Sequence, residues 1–133
     1  MNIAVTVSRI LLGLLFLVAG GSVFFNTTPP PIPGMTGDFL AIFMKSHWSM
    51  FVGAAQLVLG VMLLVNRFVP VALIMLAAFL YNSLAFHITM FPGPLPIVVV
   101  VILLWFVISW KYRRLFAPIF AAQPTVPGEA PTR

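Results

Sequence analysis

Residues 53–68, GAAQLVLGVMLLVNRF, form a long apolar run that carries one amide and closes on one cation. Such a run reads as a helix crossing a membrane with a marked inner face. Gly53, Gln56 and Gly60 stand three and four residues apart, so on a helix they make one stripe, with leucine, valine and methionine covering the rest. Small residues let a neighbouring helix approach closely, and an amide on the same stripe is then hidden from lipid. Arg67 ends the run where a positively charged anchor belongs at a cytoplasmic boundary.

The rest of the chain has the same character. Of 133 residues 62% are hydrophobic and only 7% charged, more apolar surface than so short a soluble domain could hide. A transmembrane barrel would show alternating polarity in pieces of about ten residues, and none is present. The formal charge of +5 is not gathered on a soluble face, so it speaks for membrane topology and against nucleic-acid binding. With no cysteine, the chain has no thiolate nucleophile, disulfide relay or cysteine-based metal site, and a redox role would need a cofactor or partner.

Four runs are long enough, or nearly so, to cross a hydrocarbon core: 3–25, 48–65, 68–86 and 95–110. The first begins like a secretion signal but runs long and ends in AGGSVFF without a cleavage pattern, so it is expected to stay. Within it Arg9, Gly13, Phe16 and Gly20 make a stripe that mirrors that of the second span, and the two faces are expected to pack together. Asn66-Arg67 is a turn tight enough to return the third span antiparallel, with Pro70 tolerated in its first turn. The expected fold is therefore all-α, an integral membrane antiparallel four-helix transmembrane bundle occupying residues 1–120. The Pro-, Ala- and Thr-rich residues 121–133 read as a disordered tail.

The one sizeable loop opens with NTTPPPIPG at 26–34, whose prolines favour extended backbone. Asn26-Thr27-Thr28 fits the glycosylation acceptor pattern, which has no meaning in a bacterial host. Beyond it, Thr36 or Asp38 is expected to cap a short interfacial helix over 39–45, too short to cross and too apolar to float free, and so a lid over one end. Arg9, Arg67, Lys111, Arg113 and Arg114 lie on one side of the membrane and Lys45 alone on the other. The expectation is a multi-pass protein of the bacterial inner membrane with both termini cytoplasmic.

At 1.5 Å per helical residue Gln56 stands roughly 16 Å above Arg67, Asn82 roughly 22 Å and Arg9 roughly 10 Å. With His47 and His87 on the outer rim, these side chains are expected to form a polar column through the bundle. Arg9 has a second reading, in which its stem snorkels to the inner headgroups. Gln56 and Asn82 have one as interhelical glue, since buried amides bond between helices without any ligand. Asn82 and His87 lie about 140° apart on an ideal helix, whereas Ser83 and His87 share a face. Phe79, Tyr81, Phe86 and Trp105 read as packing residues or interfacial anchors, and two histidines without a third ligand define no metal site. No catalytic set is visible: there are no paired carboxylates, no Ser-His-Asp arrangement and no acid in any span, so the chain is not expected to be an enzyme on its own.

RILLGLLFLVAG at 9–20, GAAQLVLGVMLLVNRFVPVAL at 53–73, YNSLAFHITMFPGPLP at 81–96 and SWKYRRLF at 109–116, in this order, resemble the DoxX-like family of small four-span bacterial membrane proteins. The resemblance implies that Arg9, Gln56, Asn82 and His87 occupy the family's polar intramembrane and rim positions. Relatives are expected to carry Glu where Gln56 stands and acidic residues where Phe91 and Trp105 stand, so a charge-dependent function is not implied here. Members resemble membrane subunits of redox systems, including a small subunit of a thiosulfate:quinone oxidoreductase and a partner of detoxifying redox enzymes, while similar animal proteins look like assembly chaperones. The expectation is an accessory or quinone-facing subunit, with quinone or bound lipid as ligand and a redox enzyme or a second copy as partner. The alternatives are an assembly scaffold gripping partner helices through its glycine stripes and, less well supported, a small-solute carrier.

Overall fold

A computed structural model describes residues 2–25, 31–122 and 128, and all regular elements in them are helical. The acceptor pattern at 26–28, the first two prolines of the loop and nearly all of the tail fall outside these residues. Five α-helices are seen: α1 Ile3–Ser22, α2 Met35–Lys45, α3 Trp48–Leu64, α4 Val69–Thr89 and α5 Leu95–Phe116. Short 3-10 turns extend α1 over Val23–Phe25 and α5 over Ala117–Phe120.

Four of the five make a closed ring: α1 packs on α3 and α5, and α4 packs on α5 and α3. The bundle expected from the sequence is the fold observed. Its core is Leu12 and Phe16 of α1, Leu59 and Leu63 of α3, Leu73, Leu76 and Leu80 of α4, and Val101 and Ile108 of α5. On α4 the buried positions 69, 72, 73, 76 and 80 advance by three and four, the signature of one helical face turned inward. The opposite faces are equally apolar: only 33%, 28% and 22% of the most hydrophobic windows of α1, α4 and α5 is buried inside the protein. Those outer faces need a hydrocarbon solvent. The 17 residues of α3 reach about 25 Å, the short end of what crosses a bilayer.

The α1·α3 interface is the most extensive and is built on two glycine pairs. A Cβ on Gly20 would stand 2.6 Å from the Gly53 carbonyl oxygen, and one on Gly60 would stand 2.9 Å from that of Gly13. The two stripes read from the sequence thus meet antiparallel, Gly13 against Gly60 and Gly20 against Gly53, with the backbones themselves in contact.

The lid exists but starts earlier than expected. Its N-cap is Gly34 at φ 79°, a left-handed position with no side-chain cap, and neither Thr36 nor Asp38 serves there. Thr36 is instead buried inside the first turn and donates its hydroxyl to the Met90 carbonyl at 2.5 Å, tying α2 to the end of α4. Phe39 packs on Phe86 with ring centroids 5.5 Å apart, and Phe43 on Trp48 at 5.4 Å. The joint at Ser46-His47 bends the chain by 81°, so α2 lies across the end of the bundle.

Two boundaries differ from the expected spans. Helix α4 continues past Phe86 to Thr89, and α5 continues past Trp110 through the basic cluster to Phe116. Lysine and arginine are good helix formers and favourable in a last turn, where they oppose the negative end of the helix dipole, so they do not end the helix. Pro118 does, because it has no N–H to continue the ladder.

Candidate functional site

The four residues expected to form one polar column go to four different places. Arg9, half-buried on α1, donates from Nη1 to the carbonyls of Leu63 and Leu64 in the last turn of α3. These are end-of-helix carbonyls, of which that of Leu63 also accepts from the Asn66 N–H at 3.2 Å, and the guanidinium adds a charged donor to both at the negative end of the helix. Arg9 clamps α1 to the end of α3.

Asn82 is exposed, and its amide donates to the Ala78 carbonyl of its own helix at 2.9 Å. The expectation that it faces the interior is corrected here: at 100° per residue its neighbour Ser83 takes the inward position instead. His87 stays at the rim, half-buried, with Nδ1 2.9 Å from the Phe91 carbonyl and its ring edge-on to Phe86. It braces the outer turn. His47 is exposed at φ 61° in the α2–α3 joint, and among the described residues no three His, Cys, Asp or Glu side chains gather as metal ligands.

Gln56 alone reaches the centre. It stands eight residues from either end of α3, about 12 Å from each and so at mid-depth. Its side chain lines a cavity of about 300 Å³ to which all four spans contribute: Leu15, Phe16 and Ala19 of α1, Phe79, Leu80 and Ser83 of α4, and Ile97, Val98 and Val101 of α5. Phe16 and Phe79 meet edge to face there at 5.3 Å. Gln56 and Ser83 are the polar side chains of the wall. Neither makes a hydrogen bond to another described residue. A primary amide offers two donors and two lone pairs, and a hydroxyl one donor and two lone pairs. Both residues are half-buried, and in apolar surroundings such groups gain by finding a hydrogen-bond partner. The cavity is thus complementary to a small polar group borne on an apolar body.

The backbone sets this position. Gly20 lacks a Cβ where the Gln56 Cβ passes, which a methyl on Gly20 would meet at 2.9 Å, so the close α1·α3 approach seats the amide.

The polar roles of four residues were not singled out by the sequence. Trp105 donates from Nε1 to the Leu73 carbonyl at 2.8 Å, joining α5 to α4 through a residue read there as packing. Ser8, Ser49 and Ser109 are buried, and Ser109 Oγ has no partner. Small hydroxyls at helix interfaces of a membrane bundle are the signal that would have found them.

The sequence model of the DoxX family matches residues 4–89, from α1 to the last residue of α4. Neither the curated proteins nor the solved structures provide a match to the chain.

Proposed function

The chain belongs to the DoxX family of membrane proteins, and on that premise we propose that it is a non-catalytic accessory subunit of a redox-linked membrane assembly. Its bundle cavity holds the head group of a lipid-soluble quinone. The observation that carries this reading is Gln56, an amide at mid-depth in a cavity of about 300 Å³ with no hydrogen-bond partner among the described residues. That volume is at the lower limit for small-molecule sites and suits a ring with its substituents, leaving the tail among the helices and lipid. The donors fit: the Gln56 amide and the Ser83 hydroxyl can each donate to a ring carbonyl or accept from a ring hydroxyl, and the Phe16–Phe79 pair offers an aromatic wall. The quinone, when bound, supplies two-electron, two-proton chemistry. The chain supplies position, exclusion of water and hydrogen bonds, and without cysteine it carries no thiol redox group of its own.

The basic end of the bundle, with Arg67 and the Lys111–Arg114 cluster, faces the cytoplasm in this reading, and the membrane is the bacterial inner membrane. The scaffold alternative loses its main device, because Gly13, Gly20, Gly53 and Gly60 are already engaged between α1 and α3.

The test is the quinone content of protein extracted in mild detergent. Wild-type protein retains quinone, Gln56→Leu loses at least about tenfold of it, and Asn82→Leu loses none. Equal retention by wild type and Gln56→Leu would refute the assignment.

A further inference from the structure

Independently of the quinone reading, we propose that the groove between the start of α1 and the end of α5 binds one anionic phospholipid. The space is about 650 Å³ and lies at the end of the bundle opposite the lid. Its deeper walls are apolar, formed by Val5, Phe106 and Val107, and its mouth is formed by Asn2, Trp110, Lys111 and Arg113. Phe106 lies five residues before Lys111, about 7.5 Å deeper along α5. The groove therefore presents cations at headgroup depth and an apolar channel directly below them, the two halves of a phospholipid.

The charge of the lipid follows from the balance of charge among the described residues. Asp38, in the lid at the far end, is the only acid among the described residues, and no ion pair forms among them. Arg113 is fixed locally, with Nη1 donating to the Trp110 carbonyl at 2.8 Å and the guanidinium 5.0 Å from the Trp110 ring centroid. Lys111 Nζ is held 5.5 Å from the Tyr112 ring centroid. Both cations are placed by their own helix and lack a counter-charge among the described residues. A zwitterionic lipid brings its own cation to the same depth, whereas an anionic headgroup neutralises the pair, with the Asn2 side chain beside it at the mouth. Basic pockets between membrane helices bind anionic headgroups on the same grounds.

The experiment uses the full chain in phosphatidylcholine vesicles containing brominated phosphatidylglycerol or, in parallel, brominated phosphatidylcholine. Bromine quenches nearby indole, and a Trp48→Phe, Trp105→Phe background reports Trp110 alone. Native mass spectrometry of retained lipid on protein with all three tryptophans gives a second reading should that background fail to fold. The brominated anionic lipid quenches Trp110 in preference to the zwitterionic one, and Lys111→Gln or Arg113→Gln each lowers that preference about fivefold. Arg114→Gln, which removes an adjacent charge outside the groove, changes it less than about twofold, and inorganic phosphate does not displace the lipid. Equal quenching by the two lipids overturns the proposal. So does a loss in Arg114→Gln as large as that in Arg113→Gln, which would mean diffuse surface attraction, or displacement by inorganic phosphate, which would mean a simple anion site.

Discussion

Replacing Gly20 by alanine puts one methyl group into the tightest of the glycine contacts between α1 and α3. The added Cβ would stand 2.6 Å from the Gly53 carbonyl oxygen, about 0.8 Å short of the 3.4 Å at which ordinary contact begins, and 2.9 Å from both the Gln56 Cβ and the Leu57 nitrogen. Two of these three atoms are backbone, so no rotamer change relieves the clash, and α1 and α3 must move apart. Separation weakens the dispersion contacts along the whole interface, for which the membrane offers no hydrophobic compensation. Overpacking of this kind is unfavourable by about 1–3 kcal/mol. Gly21 next door is the control: its Cβ meets only Leu57 Cδ2, at 3.8 Å, so Gly21→Ala is neutral or stabilises by up to about 1 kcal/mol. Reversible unfolding in mixed detergent micelles, followed by circular dichroism, measures both. Because the same methyl presses on the base of Gln56, Gly20→Ala also lowers quinone retention while Gly21→Ala does not. Equal stability of the two variants would refute the helix contact as described.

Arg9→Leu leaves the Leu63 and Leu64 carbonyls without their charged donor and destabilises by about 1.5–3 kcal/mol in the same assay, with Arg9→Lys recovering part of the loss. Trp105→Phe removes the hydrogen bond to Leu73 and destabilises by about 0.6–2 kcal/mol. Ser109→Ala removes a buried hydroxyl that has no partner, so its unfolding midpoint stays the same or rises. Asn82→Leu changes stability by no more than about 0.5 kcal/mol, whereas Ser83→Ala, one residue on, lowers quinone retention.

The architecture was legible in the sequence because membrane helices write it in long patterns. Runs of about twenty apolar residues and the glycines at 13, 20, 53 and 60 each integrate over many positions. The site was legible only in part. Gln56 sits on a glycine stripe, so its inward face followed from its neighbours. Asn82 has no such stripe, and in a helix apolar on every side nothing in the pattern separates it from Ser83. Arg9 was placed on the correct face, but its acceptors lie 54 and 55 residues away at the end of another helix, which no local pattern encodes. Thr36 read as a cap because hydroxyls cap helices. Its acceptor is instead Met90, 54 residues on.

The most direct measurement of the central claim is photoaffinity labelling of the protein in membranes with a photoreactive quinone, mapped by peptide mass spectrometry. The account predicts label on the cavity walls, on the segment of α3 around Gln56 and the facing turns of α4 and α5 near Ser83 and Val98, suppressed by excess unlabelled quinone and by Gln56→Leu. Label confined to lipid-facing side chains such as Tyr81 and Ile88, and unaffected by Gln56→Leu, would contradict it.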